Sequence, residues 1–187
     1  MLSSVLPSDF PFAGILLGLF LFIAVVCDLR WRRIPNKLVV ICLATGLSMR
    51  GFELGWAGLG TATLGSLTGL LVLLPFYIAA ALGAGDVKFM AAVGSFLEPS
   101  QVLLAAVLGI ALNGAVGLLI IILAGDLFKT VHRYMAMLTT FLSLNKPHYI
   151  EPTPDEAAGR KMPYVIGLSI AVATVALYPD LFSMVFW

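Results

Sequence analysis

The residues that most suggest chemistry are Gly83-Ala84-Gly85-Asp86-Val87-Lys88, which place a carboxylate beside two glycines between strongly apolar segments. An ionised side chain inside a bilayer costs about 3 kcal/mol on insertion scales, so an acid in such a place indicates a function. The alternative is that Asp86 only caps the N-terminus of the following helix, a role that aspartate fills well. The six residues alone leave both interpretations open.

A second acid, Asp28, follows the first apolar segment and precedes a basic turn at residues 29–37. Two carboxyl groups brought together in a poorly hydrated site cannot both ionise easily, so the pair holds one proton near neutral pH. Such a pair can hydrolyse an amide, because the ionised member activates water while the protonated member polarises the carbonyl group. Asp126 is the nearest competitor, and it is better explained as the N-cap of the next helix.

No other reactive combination of residues competes for this role. The sequence has no serine-based nucleophile elbow, no H-E-x-x-H motif and no Cys–His pairing. Cys27 and Cys42 stand apart without a C-x-x-C pair, which indicates free thiols buried in apolar helices. His132 and His148 lie in a polar segment and are expected at the surface. We therefore expect neither a bound metal nor any other cofactor.

Composition identifies the kind of protein that must position the two acids. The chain has 187 residues, of which 60% are hydrophobic and 11% charged, and its mean hydropathy is +1.03. Apolar runs of about 20 residues cross the hydrocarbon core of a bilayer as helices. We predict an all-α polytopic membrane protein that forms one domain over residues 1–187. The formal net charge of +1 and the lack of a long basic stretch argue against nucleic-acid binding.

The apolar segments predict six transmembrane helices and an amphipathic helix before the last one. The first is expected to remain as an anchor because no basic residues precede it, the third to kink at Pro75, and the fourth is short for a span. Residues 125–162 predict a cytoplasmic loop that begins with the interfacial amphipathic helix. The predicted spans are residues 12–27, 38–49, 56–82, 87–97, 102–124 and a final one from residue 163.

The basic residues predict the orientation, since lysine and arginine favour cytoplasmic loops close to helix ends. With the N-terminus outside, ten of the eleven basic residues are cytoplasmic and only Arg50 is outside. The short fourth segment must then cross, in a locally thinned bilayer, to keep the basic residues of 125–162 inside. Asp28 and Asp86 then share one depth at the cytoplasmic side. Because they lie on different helices beside glycine and proline, we expect them to assemble fully only with substrate bound.

Three stretches resemble the type IV prepilin peptidases, membrane aspartyl proteases of the G-x-G-D class. They are Asp28 with Ile34-Pro35-Asn36, the element at residues 83–88, and Lys161-Met162-Pro163-Tyr164. The resemblance runs from the first predicted span to the sixth. It implies that Asp28 and Asp86 are the catalytic pair. It further implies that the substrate is the basic leader of a pilin or pseudopilin precursor, cut at the cytoplasmic face of the bacterial inner membrane.

The resemblance also implies supporting roles for residues beside the two acids. Gly83 and Gly85 would supply backbone freedom for the acid-bearing turn and room for an extended substrate, and Pro35 and Asn36 belong to the matched motif. Lys88 either biases the ionisation of Asp86 or is an ordinary cytoplasmic positive charge.

Larger members of that family carry a cytoplasmic domain with paired C-x-x-C motifs, to which N-methylation of the product is attributed, and this sequence has no such pairs. It resembles the short, peptidase-only form that serves Tad/Flp-type pili, although the archaeal preflagellin peptidases are also short. The glycine-rich third span is expected to receive the apolar part of the substrate. Three loop acids either attract its basic residues or are simply solvated: Glu151, Asp155 and Glu156.

Two other classes of function compete with a peptidase. Buried acids in membrane helices also form proton relays, so a proton-coupled transporter is the main alternative. A relay site would lie near the middle of the bilayer with polar residues leading to it, whereas these acids lie at one face. A noncatalytic scaffold of a secretion machine is the second alternative, and the pair of acids makes it less attractive.

Overall fold

The computed structural model describes residues 11–79, 81–144 and 164–178. Within these ranges the chain is helical and contains no strand, which confirms the all-α prediction. It divides into two compact units, one formed by Met1–Leu112 with Pro163–Trp187 and the other by Asn113–Met162. The helices are α1 Pro11–Trp31, α2 Asn36–Ile78, α3 Ala84–Gly94, α4 Pro99–Leu123, α5 Leu127–Leu144 and α6 Tyr164–Leu177.

Three of the described helices are long and apolar enough to cross a membrane, namely Phe12–Trp31, Asn36–Ile78 and Pro99–Leu123. The 43 residues of α2 rise roughly 64 Å, about twice the thickness of the hydrocarbon core. α3 has only 11 residues, and the apolar α6 has 14. These lengths support a membrane protein, while the count of six spans and the orientation stay predictions.

α2 consists of two helices joined at a single non-helical residue, Gly55, which has φ 60° and ψ −138°. That conformation is open to glycine and to almost no other residue, because a Cβ atom would clash with the backbone. The predicted turn at residues 50–55 therefore shrinks to one residue. The backbone torsion angles stay helical at Pro75, so the kink expected there stays a prediction. The helix ends at Ile78 rather than at residue 82.

α1 continues through Asp28 to Trp31 instead of ending at Asp28 as the sequence suggested. A helix in lipid must satisfy its own backbone groups, so it persists until the chain reaches polar surroundings. Arg32 then adopts φ 50°, and its N–H donates to the Asp28 carbonyl oxygen at 2.8 Å, a left-handed helix ending. Asp28 follows the buried Leu17 and Ala24 at helical spacing, so its side chain shares their face.

α3 lies at the centre of the first unit and packs chiefly against α2. Phe89, Met90 and Val93 of this helix are completely buried. A Cβ atom on Gly65 of α2 would collide with the backbone carbonyl of Gly94, and the reverse also holds. Close backbone approach of this kind drives helix association in lipid, where apolar side chains gain little by leaving the solvent.

The glycine face of α2 is therefore already occupied. Gly65 and Gly69 are buried against the backbone of α3, and Gly58 is buried against the carbonyl oxygen of Arg50. Because α3 fills the space in front of Gly65 and Gly69, an apolar substrate segment would have to contact another face of the third span, and its binding there stays a prediction. The sequence showed that the face was suited to close packing but not which helix packs there.

Arg50 is the basic residue that the predicted orientation left on the outside. It is only 9% exposed, and its Nη2 donates a hydrogen bond to the carbonyl oxygen of Phe96 at 3.0 Å. Carbonyl groups at the C-terminal end of a helix lack intrahelical partners and carry partial negative charge, which a cation stabilises. Arg50 thus has a structural role at the end of α3 opposite Asp86.

Two smaller predictions are confirmed. Cys27 and Cys42 are free and buried. Asp126 directly precedes α5, in the N-cap position. Its backbone carbonyl oxygen accepts the N–H of Thr130 at 2.9 Å, and its carboxylate pairs with Lys129 at 3.0 Å. The interfacial placement of α5 stays a prediction.

We expect Gly65→Ala to destabilise the protein by about 1–3 kcal/mol, because the added methyl group would push α3 away from α2. Gly60→Ala is the matched control, since it lies in the same half of α2 with no atom within 4 Å of the added Cβ. Thermal unfolding of both variants in one detergent checks the difference. A Gly65→Ala variant as stable as Gly60→Ala would contradict the packing described.

Candidate active site

Three helix ends meet at the two acids. Asp28 lies in the last turn of α1, Asp86 lies in the first turn of α3, and Val165 lies in the first turn of α6. The charge of Asp28 acts on Asp86, and the backbone N–H of Val165 hydrogen-bonds the Asp28 carboxylate. The fold thus brings together two acids that are far apart in the sequence.

Opposing influences act on the Asp28 carboxylate. Burial works against its charge, whereas the Val165 N–H and the guanidinium group of Arg32 work in its favour. The N–H groups at the start of a helix lack intrahelical partners and carry partial positive charge, so they suit a carboxylate. Asp28 Oδ2 is buried and has no hydrogen-bond partner in the part of the chain that is described. Asp28 therefore offers one buried oxygen to a ligand.

Asp86 is the third residue of α3, and its Oδ2 accepts the N–H of Gly83 at 3.2 Å. Gly83 is the N-cap residue of α3, and the Asp86 side chain accepts a hydrogen bond from its N–H. The interpretation of Asp86 as a capping residue is therefore partly correct. Asp86 lies outside the three helices long enough to cross a membrane. Burial and then the neighbouring Asp28 raise the pKa of Asp86 to about 6, against the opposite effect of the Gly83 N–H. Asp86 keeps its proton to a higher pH than an ordinary aspartate does.

The Ile-Pro-Asn motif forms the link between α1 and α2. Pro35 is the N-cap of α2, with φ −63° and ψ 131°, and Asn36 is the first residue of that helix. Both are exposed, whereas Ile34 is partly buried. A Cβ atom on Gly85 would lie 3.6 Å from the Cβ of Ile34. The visible contribution of the motif is to start α2 and to set Ile34 beside the acid-bearing turn.

The two glycines beside Asp86 leave room around it rather than allowing an unusual backbone conformation. Gly83 has φ −76° and ψ 148°, a conformation that any residue adopts. A Cβ atom there would lie 3.1 Å from Asp86 Oδ2, whereas one on Gly85 would make ordinary contact with Ile34. Lys88 is exposed and is not among the groups that act on Asp86. These observations favour the interpretation of Lys88 as an ordinary positive charge.

Two groups at the start of α6 complete the site and were not singled out from the sequence. One is the Val165 N–H, a backbone group that no residue type could have marked. The other is Tyr164, whose hydroxyl is buried without a hydrogen-bond partner among the described residues and feels the charge of Asp86. The sequence did contain a clue to Tyr164, because this residue belongs to a matched motif and starts an apolar helix.

Several predicted features are not tested by this geometry. Glu151, Asp155, Glu156 and His148 lie outside the described residues, as do residues 161–163 of the third matched stretch. In the remainder of the chain, no three His, Cys, Asp or Glu side chains come close enough to hold a metal ion. The full assembly of the acids only on substrate binding stays a prediction.

We expect a hydrophobic carbodiimide, which reacts with protonated carboxyl groups, to label Asp86 strongly below about pH 6 and progressively less as the pH rises through that value. In Asp28→Asn the neighbouring negative charge is gone, so the midpoint should move to lower pH. Mass spectrometry of the peptide that contains Asp86 gives the midpoint, with Asp86→Asn as the unlabelled control. A midpoint near pH 4 in the wild type, or one unchanged in Asp28→Asn, would contradict the arrangement.

Comparison with known proteins agrees with this geometry. No curated protein and no solved structure matches the chain. The sequence profile of the type IV leader peptidase family matches residues 15–122, more than half of the chain and a segment that includes both acids. The chain therefore belongs to the type IV leader peptidase family.

Proposed function

We propose that this protein is an aspartic-type endopeptidase that removes the basic leader from pilin or pseudopilin precursors at the cytoplasmic face of the inner membrane. Membership of the family supports the peptidase activity. The main support for an aspartic mechanism is that Asp28 and Asp86 lie in one partly buried site, where the charge of Asp28 acts on Asp86. Two carboxyl groups that act on each other's ionisation can hold one proton between them near neutral pH, which is what acid–base hydrolysis of a peptide bond requires.

The surroundings of the two acids suggest a role for each. The raised pKa of Asp86, about 6, suits it to hold a proton and donate it to the scissile carbonyl oxygen. Burial is the largest influence on Asp28 and works against its charge, but the Val165 N–H and Arg32 offset part of this effect. Asp86 has only the Gly83 N–H in its favour, so Asp28 is the better placed of the two to be ionised and to accept a proton from water. Asp28 Oδ2 has a free acceptor position for that water.

The reaction then follows from these positions. Water loses a proton to Asp28 and adds to the carbonyl carbon, while the carbonyl oxygen takes the proton of Asp86. The resulting tetrahedral diol breaks its C–N bond as Asp28 returns a proton to the leaving nitrogen. One hydroxyl of the diol gives its proton back to Asp86, which restores the starting state of the pair.

The position of the two acids also helps to distinguish a peptidase from the alternative functions. A proton-coupled transporter would place its acids near mid-bilayer, whereas Asp28 and Asp86 lie in the last turn of one helix and the first turn of another. The matched family is one of peptidases, which favours hydrolysis over transport and over a scaffold.

We expect Asp28→Asn and Asp86→Asn each to lower precursor cleavage by at least about a thousandfold, because asparagine keeps the size of the side chain but cannot cycle a proton. In Asp86→Asn the amide oxygen of the new side chain would still accept the Gly83 N–H, so α3 should stay in place. The measurement is the mobility shift of a candidate pilin precursor coexpressed with each variant. Asp126→Asn, which changes a carboxylate paired with Lys129, is the control and should cleave normally. Wild-type cleavage by either of the first two variants would remove that residue from the mechanism.

A further inference from the structure

The hydroxyl of Tyr164 is a polar group that the proposed mechanism has not used. Tyr164 begins α6, and its ring packs against the buried core of the first unit. The hydroxyl oxygen is itself buried and has no hydrogen-bond partner within the described ranges. A buried hydroxyl left unpaired carries a desolvation cost, so its presence beside a site suggests a ligand that satisfies it.

The main chain links Tyr164 directly to a residue that bonds to one of the acids. The next residue, Val165, is completely buried, and its N–H bonds to Asp28. The charge of Asp86 acts on the phenol, although the hydroxyl makes no hydrogen bond to that carboxyl group. The phenol is therefore within the electrostatic influence of Asp86 without bonding to it, which leaves its O–H available to a ligand.

A carbonyl oxygen satisfies both groups at once. It has two lone pairs, so it accepts one hydrogen bond from a protonated carboxyl group and another from a phenol. When water adds to the carbonyl carbon, this oxygen gains negative charge. Donors placed in advance at such an oxygen stabilise the transition state more than the bound substrate, particularly in a site with little water.

We propose that the Tyr164 hydroxyl donates a hydrogen bond to the scissile carbonyl oxygen of the precursor, on the side opposite Asp86. This inference rests on the peptidase function proposed above and adds a catalytic residue to it. Because the bond strengthens as charge develops, Tyr164 acts on kcat more than on KM.

The test is Tyr164→Phe, which removes only the hydroxyl and keeps the ring in the core. We expect kcat for a precursor to fall about 10- to 100-fold while KM stays within about twofold. The thermal midpoint should stay the same or rise, because the lost hydroxyl had no partner in the free protein. Tyr178→Phe, at a residue 64% exposed just after α6, is the matched control and should leave all three quantities unchanged.

Asp28→Asn and Asp86→Asn in the same assay separate this inference from the function on which it rests. If both are inactive and Tyr164→Phe keeps the wild-type kcat, the role of Tyr164 is overturned and the peptidase proposal stands. If the asparagine variants cleave normally, both are overturned. A change confined to KM, or a loss of thermal stability that accounts for the lost activity, also overturns the role of Tyr164.

The carbodiimide midpoint of Asp86 supplies an independent readout in the absence of substrate. A hydroxyl that bonds only to substrate leaves this midpoint unchanged in Tyr164→Phe. A shift of about one pH unit or more would show that the hydroxyl acts on Asp86 itself, which overturns its assignment to the carbonyl oxygen.

Discussion

The close packing of α3 against α2 is the constraint on which the rest of the site depends. A helix of 11 residues is only marginally stable by itself, and lipid supplies no hydrophobic drive to hold it against its neighbours. The bare backbones of Gly65 and Gly94 permit contact at van der Waals distance, and Arg50 holds the carbonyl oxygen of Phe96. Asp86, at the start of the same helix, owes its position to these contacts.

The second carboxylate is positioned by a different part of the chain. α1 carries Asp28 on the face that is buried beside the core, and α6 contributes the Val165 N–H. The two acids thus arrive on helices that are separated by the whole of α2, while a third helix from the C-terminal region joins them. Burial acts against the charge of both carboxylates, while N–H groups and Arg32 act in its favour to different extents. The proposed division of roles rests on these unequal surroundings.

The sequence predicted the features that depend on residue type. It did not predict the features that depend on how distant parts of the chain pack together. The membrane class, the buried thiols of Cys27 and Cys42, and the two acids follow from hydropathy and spacing. The break at Gly55, the continuation of α1 through Asp28, and the cap that Arg50 provides depend on neighbours distant in the chain. The glycines of α2 were rightly seen as a packing surface, but the sequence did not show that α3 is the helix that packs against Gly65 and Gly69.

The bond between Gly83 and Asp86 makes the two oxygens of that carboxyl group chemically inequivalent. Oδ2 accepts the Gly83 N–H, and a hydroxyl oxygen is a weaker acceptor than a carbonyl oxygen, so a proton on Oδ2 would weaken the bond that tethers the first turn of α3. The acidic O–H therefore belongs on Oδ1, and its direction is fixed by the helix rather than by free rotation of the side chain. In the proposed mechanism, such an acid would meet the scissile carbonyl oxygen from one defined direction.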